Sequence, residues 1–286
     1  MYQPNVKPGI LLIHPKLDEM KAKGMFVKAS ETEEPGIGTW WGGKGMFVDF
    51  TSQETRNNWK EMLKENVLDY GTSSIWNDNC EYDSMVDKDC RCSFEGKGGT
   101  IGQLKSVMSN IMCHITNEAI HETFDNTRPY VVCRSGHAGI QRYAQTWAGD
   151  NLTCWESLKY NIATILGMGL SGVANQGCDI GGFYGPAPEA ELLVRWIQNG
   201  ISSLVSLSIP RILTTRLQNL GCTATAQNIS EPLSNSVTAC SHICIPLWNV
   251  LMKPDFLLWS LCAVLSKMTR SAMKKALTSC LVTHCW

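Results

Sequence analysis

The 286-residue chain has almost no net charge, with 25 basic and 26 acidic side chains. That balance excludes the basic footprint with which proteins neutralise nucleic-acid phosphates, so a nucleic-acid partner is not expected. Nor does the chain offer a membrane element. Phe256 to Leu265 is apolar except for Ser260, but ten residues are about half of what a spanning helix needs. Met1 to Gly9 is too polar for a signal peptide, and a cytoplasmic setting is expected. The six histidines are few, and His114, His121 and His137 show no ligand spacing. Cysteine is plentiful at 13, yet the number is odd, the spacing is irregular and no export signal accompanies it, so reduced thiols are expected. Cys90 and Cys92 have a single residue between them, short of the two-to-four-residue spacing of zinc sites, and Cys240 to Cys244 lacks a second ligand pair. No metal and no other cofactor is expected.

What the chain does have is two acidic strings set among aromatics. Trp76-Asn77-Asp78-Asn79-Cys80-Glu81 ends one apolar segment, and Arg142 to Asn151 carries Trp147 and Asp150 at the end of another. Paired carboxylates are what glycoside hydrolysis requires: one attacks the anomeric carbon or activates water, and the other protonates the departing oxygen of an oxocarbenium-like transition state. The two roles need opposite protonation states. Glu81 and Asp83 read instead as groups that orient neighbours or sit in a solvated loop.

Hydrophobic periodicity alternates between strands and helices. Gly9 to His14 reads as a short buried parallel strand, and Gln53 to Leu68 as a helix with Trp59, Met62, Leu63 and Val67 on one stripe. Ser73 to Trp76 is the next strand, followed by a helix over Ile101 to Thr116, a strand over Tyr130 to Cys133, a strand or loop before Asp150, and helices over Ser157 to Leu166 and Glu189 to Gln198. This order is that of an α/β fold built as a (β/α) barrel, in which functional side chains gather on loops after the carboxyl ends of strands. Asp78, Arg134, Asp150 and Asp179 all fall at such positions.

Several segments in one order carry a family resemblance: Trp41-Gly42-Gly43 with Asp49-Phe50-Thr51, Trp76 to Glu81, Arg134-Ser135 through Asp150, and Gly169 to Phe183 with Gly177-Cys178-Asp179-Ile180-Gly181-Gly182. From about Asn5 to Gly200 the chain resembles glycoside hydrolase family 31, the α-glucosidase family. The resemblance implies a (β/α)8 TIM barrel and a retaining double displacement that removes terminal α-linked glucose from a small oligosaccharide. It implies Asp78 as nucleophile, Asp150 as acid/base, Arg134, Trp147 and Asp179 lining the sugar site, Trp41 walling it and Trp76 supporting the nucleophile. It leaves open an α-xylosidase, α-galactosidase or sulfoquinovosidase, and, from another class, an inactive or carbohydrate-binding remnant.

The resemblance also draws a boundary. Set against the family, the chain begins beyond the first barrel strands, so residues 1–200 are expected to form a partial barrel. After Gly200 the resemblance stops where the family continues with Phe-x-Pro-x-Phe-x-x-His. Residues 1–200 hold 24 acidic and 18 basic side chains, whereas 201–286 hold 2 and 7, with no tyrosine, one glycine (Gly221) and six cysteines. A frameshifted tail over 201–286 is the expectation.

Overall fold

The computed structural model describes residues 2–40, 42–173 and 175–202. The tail expected from 201 onward therefore lies, from residue 203, outside the described residues, as do Cys240 to Cys244 and Phe256 to Leu265. In chain order the elements are β1 (Asn5–Val6), β2 (Gly9–Leu11), α1 (Leu17–Ala22), β3 (Ile37–Trp40), β4 (Gly43–Phe47), α2 (Gln53–Asn66), β5 (Ser74–Asn77), β6 (Arg91–Cys92), β7 (Gly99–Thr100), α3 (Ile101–Thr123), β8 (Tyr130–Cys133), β9 (Gln145–Trp147), α4 (Trp155–Leu170), β10 (Gln176–Gly177) and α5 (Ala190–Ser202).

Five strands form one wholly parallel sheet in the order β1-β5-β8-β9-β10, each pairing with the next parallel strand of the chain. Helices α2, α3 and α4 follow β1, β5 and β9 as crossovers, the arrangement of a TIM barrel. The exception is the link from β8 to β9, which is a loop with a single 3-10 turn at Ile140–Arg142 in place of a helix. Registers run Val6 to Asn77 to Cys133 to Thr146, and Trp147 to Gly177. The carboxyl ends of the strands are therefore level, and the residues just past them share one rim.

The apolar run at Gly9 is a correction. Gly9–Leu11 is the first strand of a three-stranded antiparallel sheet, β2-β4-β3, inserted after β1, and the parallel strand is the two-residue β1 before it. Pro8 forces this division: it lacks an amide donor for a ladder, and its carbonyl accepts from Val48 instead. The inserted sheet leans on the loop after β5, where Phe47 meets Tyr82 at 5.4 Å and Tyr82 donates its hydroxyl to the Val48 carbonyl.

Long-range packing and good caps set the helices. Thr100 opens α3 with a capping box completed by Gln103, and the stripe Leu104, Met108, Met112, Ile115 and Ala119 is buried against the sheet. Ser52 caps α2 by accepting from Thr55 N–H, and Trp59 of α2 meets Phe50 edge-on at 5.3 Å. Asp49 is structural: its carboxylate accepts from Thr51 N–H and from Ser93 N–H, pinning β6 to the chain after β4.

Two glycines give opposite expectations. A Cβ at Gly45 on β4 would lie 2.7 Å from the Ile10 carbonyl oxygen, so Gly45→Ala is expected to cost about 1–3 kcal/mol. A Cβ at Gly167 inside α4 meets nothing within 4 Å, so Gly167→Ala is expected to stabilise by roughly 0.5–1 kcal/mol. Urea midpoints moving down for the first and up for the second would bear this out.

Candidate active site

The strand ends place Lys7, Asp78, Arg134 and Asp150 on one rim, with Asp179 two residues past β10 on the same rim and half-buried. β5 delivers Asp78 and is itself anchored from behind: Asn77 donates to Thr116 Oγ1 at 3.1 Å and to Cys113 Sγ at 3.4 Å on α3. The backbone then leaves the strand through Asn79 in the left-handed region, φ +54°, a conformation asparagine tolerates better than most residues. Asn79 N–H turns back to donate to Asp78 Oδ1 at 2.9 Å.

Asp78 is only 9 % exposed, too enclosed to stand ionised without partners. It has them. Lys7 Nζ and Asn5 Nδ2 both donate to Oδ2, the latter at 3.1 Å, and Arg134 Nε lies 3.6 Å from Oδ1. Burial works against the charge, but the bonds from Lys7 and Asn5 and the charges of Lys7 and Arg134 outweigh it and hold the carboxyl below its ordinary value.

Arg134, just past β8, joins three acids. It pairs with Glu81 through Nε, lies near Asp78, and reaches Asp150 Oδ2 through Nη1 at 3.2 Å. Burial opposes its charge, but Glu81 foremost, then Asp78 and Asp150, raise its affinity for the proton still further. Gly149, at φ +75°, makes the turn that brings Asp150 back over the Arg134 side chain, whose methylenes would sit 4.0 Å from a Cβ there. A cavity of about 530 Å³ opens beside this cluster, lined among others by Glu81, Arg134, Ser135, Trp147 and Asp150. Trp147, part of that lining, meets Trp76 edge to face, 5.3 Å apart at 81°. Among the described residues, the buried Trp76 Nε1, Ser135 Oγ and Asn151 Oδ1, each beside a cluster residue in sequence or space, lack hydrogen-bond partners.

The sequence-derived residues thus divide. Asp78 and Asp150 are joined through Arg134, Trp76 and Trp147 pair with one another, Asp179 stands at the rim, and Trp41 lies outside the described residues. Glu81 orients a neighbour, Arg134, whereas Asp83 is surface-exposed and pairs with Lys105. Two residues escaped the sequence reading, Asn5 and Lys7. Their signal was positional, because Lys7 stands to β1 as Asp78 does to β5, but a two-residue strand is too short to show periodicity.

The model of the glycosyl hydrolases family 31 TIM-barrel domain matches residues 1–207. The chain belongs to glycosyl hydrolase family 31. Within this family it is 36% identical over 169 residues to α-glucosidase 2 of Bacillus thermoamyloliquefaciens, covering 57% of this chain and 21% of that protein. Among solved structures it is similar to the glucosidase II α subunit in an α3-Glc2-bound form, at 28% identity and TM-score 0.61, covering 70% of this chain and 22% of that one. It is also similar to a family 31 α-xylosidase from a soil metagenome complexed with xylose, at 26% identity and TM-score 0.62, covering 70% of this chain and 30% of that one. This family 31 chain spans about a fifth of the length of the curated relatives it matches.

Proposed function

We propose that the chain carries the catalytic centre of a retaining α-glucosidase acting on small oligosaccharides. The observation that carries this reading is a buried carboxylate held ionised at one strand end, with a second, cavity-facing carboxylate joined to it through a shared guanidinium. Asp78 attacks C1 and forms a C1–O bond while the glycosidic C1–O bond breaks and the departing oxygen takes a proton from Asp150. Water then attacks C1, gives its proton to Asp150, and the ester bond to Asp78 breaks. Two inversions return the original anomer. No metal or cofactor enters these steps. The α-glucosidase relatives support glucose as the sugar, and the α-xylosidase likeness makes xylose the second candidate.

A cytoplasmic setting is part of the proposal, supported by the free state of all seven described cysteines, six of them buried. The test is to incubate the protein with 4-nitrophenyl α-glucoside and α-xyloside and to read the first-formed sugar by proton NMR. Release of the α-anomer of glucose is the expected outcome. A β-anomer would remove the double displacement, and faster turnover of the xyloside would replace the sugar.

A further inference from the structure

Lys7 and Asn5 sit outside the residues to which the proposed mechanism gives a role, yet they make closer contact with Asp78 than Arg134 does. Backbone register puts them there: Asn5 and Val6 pair with Trp76 and Asn77, and Asp78 N–H continues the ladder by donating to the Val6 carbonyl at 2.9 Å. The Lys7 ammonium bridges Asp78 Oδ2 and, at 2.6 Å, Asn79 Oδ1, with the lysine side chain 22% exposed. A solvated surface lysine gains little by being held this way, since its long flexible stem loses conformational freedom.

The cations of the rim are divided between the acids. Arg134 approaches Asp78 only at 3.6 Å but contacts Glu81 and Asp150 more closely, so its charge is spent mainly on those two. Lys7 is the cation in direct contact with Asp78. Among the described residues, the charged and titratable groups around Asp78 are Lys7 from the end of β1, Arg134 and the Cys133 thiol from the end of β8, the Cys80 thiol at 3.5 Å from the Asp78 carbonyl, and, through Arg134, Glu81 and Asp150.

We propose that Lys7 is a positioning residue for the nucleophile: with Asn5 it clamps Oδ2 of Asp78, orients Oδ1 toward C1, and stabilises the carboxylate as it leaves the glycosyl-enzyme. This rests on the retaining α-glycosidase reading. In the first step the carboxylate becomes a neutral ester, so Lys7 gives no added help there. In the second step the C1–Oδ1 bond breaks, its electron pair returns to Asp78, and the negative charge reappears beside the ammonium. Lys7 thus favours release of the sugar over its capture.

The experiment compares the full chain with Lys7→Met, Lys7→Gln and Lys7→Arg. With 4-nitrophenyl α-glucoside, Lys7→Met and Lys7→Gln are expected to lower kcat by at least tenfold more than kcat/KM. They are also expected to show a burst of nitrophenol with a hexosyl mass increment on the protein. The acidic limb of kcat/KM should move up by roughly one pH unit or more, because Asp78 has lost its nearest cation, and Lys7→Arg should restore most of it. In parallel, a carbon-13 NMR titration of Asp78, assigned by its absence in Asp78→Asn, reads the clamp without any turnover. If the unaltered chain hydrolyses no glycoside, the α-glycosidase reading fails while the titration still decides whether Lys7 governs Asp78. An Asp78 titration that is the same with and without Lys7, or an unmoved acidic limb with no burst, overturns the proposal. Lys7→Gln is one atom shorter but keeps an N–H donor without the charge, so the test survives a misfolded Lys7→Met.

Discussion

Asp78→Ala is expected to lower hydrolysis of 4-nitrophenyl α-glucoside by about four orders of magnitude or more, because the covalent route disappears and Glu81, the next carboxylate after β5, is paired with Arg134. A good leaving group cannot compensate, since departure without attack leaves an unsupported oxocarbenium ion. The variant also creates a gap where the carboxylate stood, between Lys7 and Arg134, that suits a small anion. Sodium azide is therefore expected to restore part of the rate and to yield β-glucosyl azide, the product of a single inversion. NMR of that product is the decisive reading. Undiminished turnover, or an α-azide, would take the nucleophile assignment away from Asp78. Lys7 remains in this variant without its anion, so a modest loss of stability is expected beside the catalytic loss.

Arg134→Met is expected to have the largest effect on stability, about 3 kcal/mol, and to abolish measurable activity as well. The side chain is 19% exposed and serves Asp78, Glu81 and Asp150 together, which are 13%, 24% and 39% exposed. Its removal leaves three neighbouring acids with Lys7 as the remaining contact cation of the rim among the described residues. The pH dependence has a definite sign. A carboxyl depressed in the folded state, as Asp78 is, contributes stability that is present above its unfolded value and is lost as pH falls through its folded value. The difference in urea midpoint between Arg134→Met and the unaltered chain should therefore be largest near neutrality and shrink as pH is lowered through the acid range. A gap that is the same at every pH would mean that packing of the guanidinium, not its charge, carries the loss.

Much of the architecture was legible because strong local signals agreed with the tertiary outcome. Tyr130–Cys133 is a strand with the bounds read from its apolar run, and the helical stripe of Leu104, Met108 and Ile115 is the buried face of α3. The same rule failed at Gly9–Leu11, where a three-residue apolar segment fits a buried parallel strand and a hairpin strand equally well; the pairing partner, β4, is more than thirty residues away in the chain. Helix ends were read short, Thr116 for Thr123 and Leu166 for Leu170: α4 ends on exposed Leu170, whereas the last turns of α3 stay buried at Ala119 and Ile120 but are mostly polar in sequence, so the apolar stripe thins. At the site, Asp78 and Asp150 were legible as acids set near Trp76 and Trp147 at segment ends, and Arg134 through its place after a strand and through the family resemblance. Lys7 was not, because its role depends wholly on which strand lies next to β5.

That dependence reaches beyond the site itself. The bonds from Lys7 and Asn5 to Asp78 span 71 and 73 residues of sequence, and β1, the strand that brings them there, contains two residues. So short a strand has little intrinsic hold, and closing so long a loop must be offset by contacts made elsewhere, chiefly by the inserted sheet and by α2. The acid at the end of β5 can be in its final place, backed by α3 through Asn77, before its counter-ion arrives. The electrostatic field around Asp78 is therefore complete only when β1 is paired with β5, a non-local contact, and not with formation of the strand that bears the carboxylate alone.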